Sequence, residues 1–224
     1  MDEIMKTYWE HLHSQPRFRP KYPTELVVQF VFRNFRRDGS QKVLDLGCGA
    51  GRHVVFMARE NIDAYGVDLS SEGIEHAKKS LEEQGLSAIL KQGSVSEIPF
   101  GDEMFDGIIC YGVLYYCKIE EIKKAISEIR RVLKAGGKGL VVVRSTEDYR
   151  FGKGTEIEKN TFIISEEDEN KSAFHENNMS MHFFTDEELK DLFSVFSSVT
   201  IDKIIQTHNN GQFCDSNYIV LFEK

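Results

Sequence analysis

The stretch "VLDLGCGAGRH", residues 43–53, combines residue types at a spacing that suits ligand binding. Gly47, Gly49 and Gly51 follow directly on a short run that favours a β-strand. Glycines at such a turn let the backbone approach a ligand closely, and the free amides at the start of a following helix attract an anion. A nucleotide pyrophosphate or an amino-acid carboxylate would suit these amides equally well. The loop therefore predicts a small-molecule site and leaves its ligand open.

A second polar residue narrows the choice of ligand. Asp68 ends the run "YGVDLS", 21 positions after Gly47, where an acidic side chain can accept hydrogen bonds from both hydroxyls of a ribose. Arg52 stands where a dinucleotide-binding fingerprint has its third glycine, which counts against an NAD-dependent oxidoreductase. Together the loop and Asp68 predict a ligand that carries a ribose.

The elements that position these residues alternate between strand-like and helical patterns from residue 42 onward, which is typical of a mostly parallel sheet with helices on both faces. The five clearest strand-like runs are Lys42–Leu46, Ala64–Val67, Ala88–Gln92, Phe105–Tyr111 and Gly139–Arg144. Two more, Val199–Ile205 and Tyr218–Phe222, are joined by a segment too short for a crossover helix. That pair predicts an antiparallel hairpin at the end of the sheet.

Helical patterns lie between and before these strands. An apolar stripe at three- and four-residue steps over residues 119–133 predicts a helix that Gly136 and Gly137 end. Thr185 and Glu188 predict a capping box at the start of a last helix. Residues 1–35 predict two helices with a proline-containing link between them. Residues 146–181 form an insertion that reads equally as a lid over the site or as a solvated loop.

At 224 residues the chain is expected to form a single domain. Its predicted parts are an N-terminal helical cap (1–40), a ligand-binding core (41–145), the insertion or lid (146–181) and a final helix with the hairpin (182–224).

Five segments, in order, resemble the successive motifs of class I S-adenosylmethionine-dependent methyltransferases. They are "VLDLGCGAGRHVVFMA", "AYGVDLSSEGIEHAKK", "LKQGSVSEIPF", "FDGIICYGVLYYC" and "AISEIRRVLKAGGKGLVVV". The resemblance covers about residues 41–145 and, more loosely, the closing helix and hairpin. It implies an α/β, Rossmann-like, doubly wound fold with a seven-stranded sheet that is mostly parallel and has an antiparallel last strand.

The resemblance also implies the cofactor S-adenosylmethionine, with S-adenosylhomocysteine as product. The implied cofactor-binding residues are Asp45, Gly47, Cys48, Gly49 and Gly51 toward the methionine part, Asp68 at the ribose, Leu69, Ser94 and Val95 around the adenine, and Tyr111. The family commonly has an acidic residue where Ser94 stands, and a serine hydroxyl is a weaker acceptor for the adenine amino group. We therefore expect modestly weaker cofactor binding.

Methyl transfer from a sulfonium is an in-line displacement that mainly requires alignment, and a general base is needed only when the acceptor must lose a proton. Tyr111 and Tyr115, after the fourth strand, are expected either to touch the acceptor or to pack beneath its pocket. His182, just before the last helix, is the candidate base or acceptor contact. His53 is expected to cap a helix or face solvent.

Two arginines in the proline-containing link, Arg17 and Arg19, would bind an anionic substrate if that link folds over the site, and are otherwise surface charges. The net charge of −8 argues against a broad nucleic-acid-binding face. The proline-proline-aromatic motif of enzymes that methylate amino groups of nucleic acids is absent from the sequence. The leading hypothesis is therefore a small-molecule methyltransferase, with a non-catalytic binding or regulatory subunit and an RNA or protein methyltransferase as alternatives.

The cysteines, the N-terminal sequence and the histidines predict the cellular location of the protein and whether it binds a metal. Four scattered cysteines without a CxxC pair indicate reduced thiols, and the N-terminus lacks the pattern of a signal peptide, so a cytoplasmic location is expected. No metal site is predicted, because His11 and His13 are two residues apart on a helix and point away from each other. No membrane partner is expected, and the sequence leaves the oligomeric state open.

Overall fold

The computed structural model describes residues 3–224 of the chain. Its ten strands are β1 (Lys42–Leu46), β2 (Asp63–Asp68), β3 (Ile89–Gln92), β4 (Phe105–Tyr111), β5 (Leu133–Arg144), β6 (Thr155–Glu158), β7 (Thr161–Ile163), β8 (Ser180–His182), β9 (Ser198–His208) and β10 (Phe213–Glu223). Seven form one sheet in the order β3-β2-β1-β4-β5-β10-β9. β1 to β5 pair in parallel, and β10 runs antiparallel to both of its neighbours. The predicted fold class and the hairpin are confirmed.

The helices are α1 (Glu3–Ser14), α2 (Glu25–Asn34), α3 (Arg52–Arg59), α4 (Ser71–Glu83), α5 (Ile119–Val132) and α6 (Asp186–Leu192). They cover both faces of the sheet. Side chains of α2, α3 and α4 pack with Val43 of β1 in one apolar layer. Those of α5 and α6 pack with Leu44 and Leu46 in the other layer. Successive side chains of a strand point to opposite faces, so the unbroken apolar run of β1 supplies both layers.

The helix predicted to end at Gly136 and Gly137 ends earlier, at Val132. Leu133 already has extended backbone angles, is fully buried and pairs with Phe105 of β4. Gly136 has φ +72° and donates its N–H to the C-terminal residue, 2.7 Å away, within the early part of β5. The glycines therefore shape the entry of β5, which begins six residues before the predicted start at Gly139.

The insertion after β5 is a packed structure, in contrast to the solvated loop that was one of the two predicted alternatives. β6, β7 and β8 form a separate three-stranded antiparallel sheet, and β8 extends across the expected boundary at residue 181. Apolar side chains of this part, including Phe162, Met179 and Met181, are buried against the α5 side of the main core. The burial of these side chains explains why the segment is ordered. Across residues 3–224, no helix combines the length and apolar character needed to cross a bilayer.

Candidate functional site

A cavity lies at the carboxyl ends of β1, β2 and β4, and we call it the strand-end cavity. Seven of the predicted site residues line it: Gly47, Cys48, Gly49, Asp68, Leu69, Val95 and Tyr111. Open α/β sheets bind ligands at such an edge because the loops there converge from several strands. The fold therefore brings most of the predicted cofactor residues to one place.

Backbone hydrogen bonds shape the glycine loop. The N–H groups of Gly47 and Cys48 both donate to the carbonyl oxygen of Val67, at 2.7 and 3.0 Å. Gly47 and Gly49 have φ values of +80° and +50°, a region that side-chain-bearing residues rarely adopt. Gly51, at φ +87°, is the N-cap of α3. The loop is thus fixed against the end of β2 and presents bare backbone to the cavity.

Asp68 ties the glycine loop to the start of α4. Its Oδ2 accepts the N–H of Gly49 at 2.7 Å, and its Oδ1 accepts the N–H of Ser70 at 2.8 Å. Burial raises the pKa of this carboxyl, and the neighbouring His13 acts in the opposite direction. Each carboxylate oxygen has a second lone pair, so Asp68 retains capacity to accept hydrogen bonds from a ligand.

Asp45 and His53 form a buried pair beneath the loop. His53 Nδ1 lies 3.5 Å from Asp45 Oδ1, and the other ring nitrogen lies 3.4 Å from Thr24 Oγ1 in the N-terminal cap. His53 is therefore neither a helix cap nor solvent-exposed, in contrast to the prediction, because its ring fills the space between β1 and the cap. Asp45 Oδ2 is buried and has no hydrogen-bond partner within residues 3–224.

The N-terminal segment supplies the opposite wall of the cavity. Trp9 and His13 of α1 and Phe18 and Pro20 of the link line it. Burial lowers the pKa of His13, although Asp68 and Glu10 oppose the shift. The imidazole is therefore neutral at pH 7. Its buried Nδ1 has no hydrogen-bond partner in the described part of the chain.

Glu10 fastens α1 to the start of α4. Its two oxygens accept hydrogen bonds from Ser70 Oγ, from Ser71 N and Oγ, and from Glu72 N, all at 2.8–2.9 Å. Partial burial raises the pKa of Glu10, but the bonds from Glu72 and Ser71 outweigh it and lower the pKa to about 2. A carboxylate at a helix N-terminus satisfies amides that otherwise lack partners. This contact holds Trp9 and His13 over the cavity.

The two link arginines differ in position. The guanidinium of Arg19 hydrogen-bonds the ring of His76 on α4, whereas Arg17 lies over the ring of Phe18 and bonds Gln15. The link thus folds over the site, which is the condition under which the two arginines were expected to bind an anion. Arg19 lies on the side of the link that faces α4.

At the end of the cavity near β3, Leu69, Gly93 and Val95 form the lining. Ser94 does not belong to this lining, and its hydroxyl lies 2.9 Å from that of Ser96. The loop turns at this point, which directs neighbouring side chains to different sides.

At the opposite end, the guanidinium of Arg52 lies over the ring of Tyr111, 5.5 Å from its centroid. Burial raises the pKa of the Tyr111 hydroxyl, and Arg52 lowers it by a smaller amount. The phenol is therefore protonated at neutral pH. It can orient a ligand as a hydrogen-bond donor or acceptor, but it is a poor proton acceptor.

Tyr115 and Tyr116 pack beneath the cavity and do not line it. Arg144 lies over the Tyr115 ring at 4.8 Å, and the Tyr116 hydroxyl donates to Glu176 at 2.8 Å. Arg150 donates to the other oxygen of Glu176 at 2.6 Å. This buried charge network fastens the insertion to β5. Of the two tyrosines predicted at the site, Tyr111 lines the strand-end cavity and Tyr115 does not.

His182, the predicted base, lies away from the strand-end cavity. Its Nδ1 is 2.7 Å from Thr161 Oγ1, and its Nε2 is 3.0 Å from a carboxylate oxygen of Glu188. Thr185 accepts the N–H of Glu188 at the start of α6 as predicted, while the Glu188 carboxylate binds His182. Both ring nitrogens are engaged in joining β8, β7 and α6, which gives His182 a structural position.

The sequence did not single out several of the lining residues, namely Trp9, His13, Pro20, Gly93, Gly112 and Val113. Gly93 and Gly112 directly follow predicted strands, so the sequence pattern could have placed them at the site. The N-terminal residues carry no comparable signal. Within the described residues, no cluster of three or more metal-binding side chains occurs.

Comparison with known proteins adds to this geometry. Residues 43–137 match a family model described as "Methyltransferase domain". The resemblance and the comparison agree on the same segment. The segment that holds the glycine loop and Asp68 is therefore similar to a methyltransferase domain.

Individual relatives of the methyltransferase domain extend the comparison. The chain is 33% identical over 102 residues to an uncharacterized methyltransferase of Bacillus subtilis, which covers 45% of this chain and 40% of that protein. It is 26% identical over 200 residues to a tRNA N(3)-cytidine methyltransferase of Gallus gallus, covering 82% of this chain and 50% of that protein. The chain spans about half the length of the curated relatives it matches.

A solved structure matches nearly the whole chain. It is the 1,6-didemethyltoxoflavin-N1-methyltransferase of Burkholderia thailandensis, with its substrate and S-adenosylhomocysteine bound. The TM-score is 0.71 at 16% identity, with 99% of this chain and 87% of that chain covered. At this identity the likeness establishes the shared fold.

Proposed function

We propose that the protein transfers a methyl group from S-adenosylmethionine to a small-molecule acceptor. The observation that carries the proposal is the convergence of the glycine loop, Asp68 and Leu69 on one cavity that Tyr111 borders. The solved relative that acts on a small heterocycle supports the acceptor class, and the net charge of −8 disfavours a polyanionic one.

The residues of the strand-end cavity fit this cofactor. The amides around Gly47 to Gly51 and the oxygens of Asp68 suit an aminoacyl tail and a ribose, and Leu69 and Val95 offer apolar surface to a base. A methyl group added at Gly49 would lie 3.2 Å from His13 Nε2, so the glycine lets the loop pack closely against α1 at the edge of the cavity. Asp68 and the imidazole of His13 add polar groups to the otherwise largely apolar lining of the cavity.

The cofactor, when bound, supplies an activated methyl group on a positively charged sulfur. The chain's own residues have to align the acceptor and exclude water. Trp9, Phe18 and Pro20 cover the cavity with apolar surface. Tyr111, protonated at neutral pH, holds a polar acceptor atom in place by hydrogen bonding. No side chain with a suitable pKa is required for proton removal when the acceptor attacks through a lone pair.

The proposal includes a cytoplasmic location, which is supported by the four cysteines being free thiols in this structure.

The decisive experiment measures S-adenosylhomocysteine binding by calorimetry and then follows transfer of radiolabelled methyl groups. The acceptors are an ultrafiltered metabolite extract, total RNA and total protein. Saturable binding of S-adenosylhomocysteine and label in the metabolite fraction are expected. Label in RNA or protein alone would contradict the small-molecule acceptor. Cofactor binding without label in any fraction would favour a regulatory subunit, and tighter binding of NAD would replace the proposal with an oxidoreductase.

A further inference from the structure

An open groove adjoins the strand-end cavity on the outer side of α3 and α4, and we call it the α3–α4 groove. Pro20, Ala50 and Arg52 line both spaces, so the groove and the cavity meet at these residues. The link between α1 and α2 borders the groove at this junction. A molecule bound there would reach the end of the cavity where Arg52 lies over Tyr111.

The charge of this groove is opposite to that of the chain as a whole. Its basic lining residues are Arg19, Lys21, Arg52, Arg59 and His76, and Glu83 is the carboxylate among the lining residues. The chain carries a net charge of −8, so a predominantly basic groove stands out against the rest of the surface. Clefts lined by one sign of charge concentrate ligands of the opposite sign.

Four of the cationic groove residues lack carboxylate partners within residues 3–224, namely Arg19, Lys21, Arg52 and Arg59. Arg59 bonds the side-chain amide of Gln84. Arg19 lies within hydrogen-bonding distance of a ring nitrogen of His76, and the buried Nε of Arg19 has no hydrogen-bond partner. Lys21 lies 5.9 Å from the centre of the Tyr22 ring. Arg52 contacts the ring of Tyr111.

The two buried arginines within residues 3–224 behave differently from the half-buried Arg19 and Arg52. Arg144 bonds Asp148 and Glu176, and Arg150 bonds Asp148, Glu176 and Asp215. A buried guanidinium nitrogen without a partner is costly, and a carboxylate or phosphate is the group that best satisfies it. The groove therefore offers cationic groups whose missing partner would be an anion.

We propose that the methyl acceptor carries a carboxylate or phosphate group, which Arg19, Lys21 and Arg52 hold where the α3–α4 groove meets the strand-end cavity. This inference rests on the proposed function and adds the chemical class of the acceptor. Arginine suits the task because its planar fork donates two parallel hydrogen bonds to either anion. Anchoring at this junction places the remainder of the acceptor beside Tyr111.

The test uses the full chain saturated with S-adenosylhomocysteine and titrates it with inorganic phosphate and, separately, with benzoate. The variant Arg19→Gln/Lys21→Gln removes two groove cations outside the glycine loop. Its matched control is Lys123→Gln/Lys124→Gln, which removes the same charge from the surface of α5 on the other side of the sheet. Circular dichroism and the thermal midpoint verify folding, and Lys21→Gln alone, at an exposed position, serves if the double variant unfolds.

Wild type and control are expected to bind at least one of the two anions alike, and the groove variant about tenfold more weakly, the loss typical of charge-assisted hydrogen bonds. Binding of phosphate alone or benzoate alone would support the proposal and identify which anion the acceptor carries. Equal weakening in groove variant and control would overturn it, since a general surface field would explain the binding. An unchanged anion affinity with weaker S-adenosylhomocysteine binding would also overturn it, since the cations would then serve the cofactor's own carboxylate.

A third probe, a short single-stranded RNA, separates small anions from a polymer. The small-molecule acceptor would be overturned if RNA binds more tightly than phosphate and if the Arg19→Gln/Lys21→Gln variant loses this binding. If wild type fails to bind S-adenosylhomocysteine, the proposed function fails on that measurement, and titration of the unloaded protein with phosphate still tests the groove.

Discussion

The two walls of the strand-end cavity are held in different ways. The sheet-side wall, made by the loops after β1, β2 and β4, is fixed by backbone hydrogen bonds such as those from Gly47 and Cys48 to Val67. The N-terminal wall, made by α1 and the link that follows it, is fastened to α4 by the side chains of Glu10 and Arg19. A backbone-held wall tolerates the loss of a side chain, whereas a wall fastened by few side chains depends on each of them. We therefore expect substitutions in the sheet-side wall to change the contacts made to the ligand. Substitutions in the N-terminal wall should instead change how firmly α1 covers the cavity.

The largest effect is expected for Asp68→Asn. The amide presents a donor where the carboxylate accepts the N–H groups of Gly49 and Ser70, and it removes the negative charge that suits ribose hydroxyls. S-adenosylhomocysteine affinity should fall about 100-fold, as expected for losing two charge-assisted hydrogen bonds. Calorimetry measures the change. Asp63→Asn, the same substitution at the opposite end of β2, should alter the dissociation constant less than about twofold.

Next in size is Gly49→Ala, compared with Gly85→Ala. Both glycines have positive φ, +50° and +64°, so both alanine variants share a backbone strain of about 1–2 kcal/mol. The added methyl meets His13 at position 49 and open space at position 85. S-adenosylhomocysteine affinity should therefore fall about tenfold only for Gly49→Ala, and its thermal midpoint should fall further than that of Gly85→Ala. Equal S-adenosylhomocysteine affinities in the two variants would show that the ligand does not contact both the glycine loop and α1.

Glu10→Gln tests the N-terminal wall. Loss of the charge should weaken the four contacts to α4, lower the free energy of unfolding by about 1 kcal/mol at pH 7 and speed S-adenosylhomocysteine dissociation about threefold. Glu75→Gln, at an exposed site on α4, is the control. Unaltered dissociation in stopped-flow measurements would mean that α1 does not govern ligand exit.

The same contact predicts a pH dependence. The pKa of Glu10 is lowered from 4.5 to about 2 in the folded chain, so the stabilisation is complete above the unfolded value and is lost as the pH falls from about 4.5 through about 2. Wild type should lose more stability than Glu10→Gln over this interval. Urea unfolding at pH 6 and pH 3 measures this loss for both proteins. Equal losses of unfolding free energy in wild type and Glu10→Gln would contradict the hydrogen-bonded carboxylate.

The smallest effect is expected for Ser94→Asp, in the loop after β3 that borders the sheet-side wall. A carboxylate is a stronger acceptor than a hydroxyl, and S-adenosylhomocysteine should bind about two- to threefold more tightly. Because Ser94 bonds Ser96 and lies outside the cavity lining, the gain requires the new side chain to turn inward. An unchanged dissociation constant would refute a role for position 94 at the adenine edge.

The sequence predicts the sheet-side wall well because its signals are local. Glycines at positive φ and an acidic residue at a strand end depend on the immediate backbone, and Asp68 and the loop lie where those rules put them. His182 and Tyr115 were assigned by their nearness to strand ends along the chain. Their rings point into contacts with Glu188 and Arg144, which come from distant segments.

The N-terminal wall escaped prediction for the same reason. Glu10 meets its partners about 60 positions further along the chain, and nothing in the periodicity of α1 specifies where that helix docks. The buried insertion is a similar case, because its anchoring depends on charges contributed by β5 and β10. Polar side chains that join remote elements leave no pattern within either one.

The thiol of Cys48 offers a built-in reporter of how often the base of the glycine loop opens. It is buried, and burial together with Asp68 and Asp45 raises its pKa well above that of a free cysteine. The sulfur packs between Gly66 of β2 and Val54 of α3. A thiol in this state reacts with alkylating reagents only when this packing loosens and water enters, so its rate of modification reports loosening of the loop from β2 and α3 without any label being introduced.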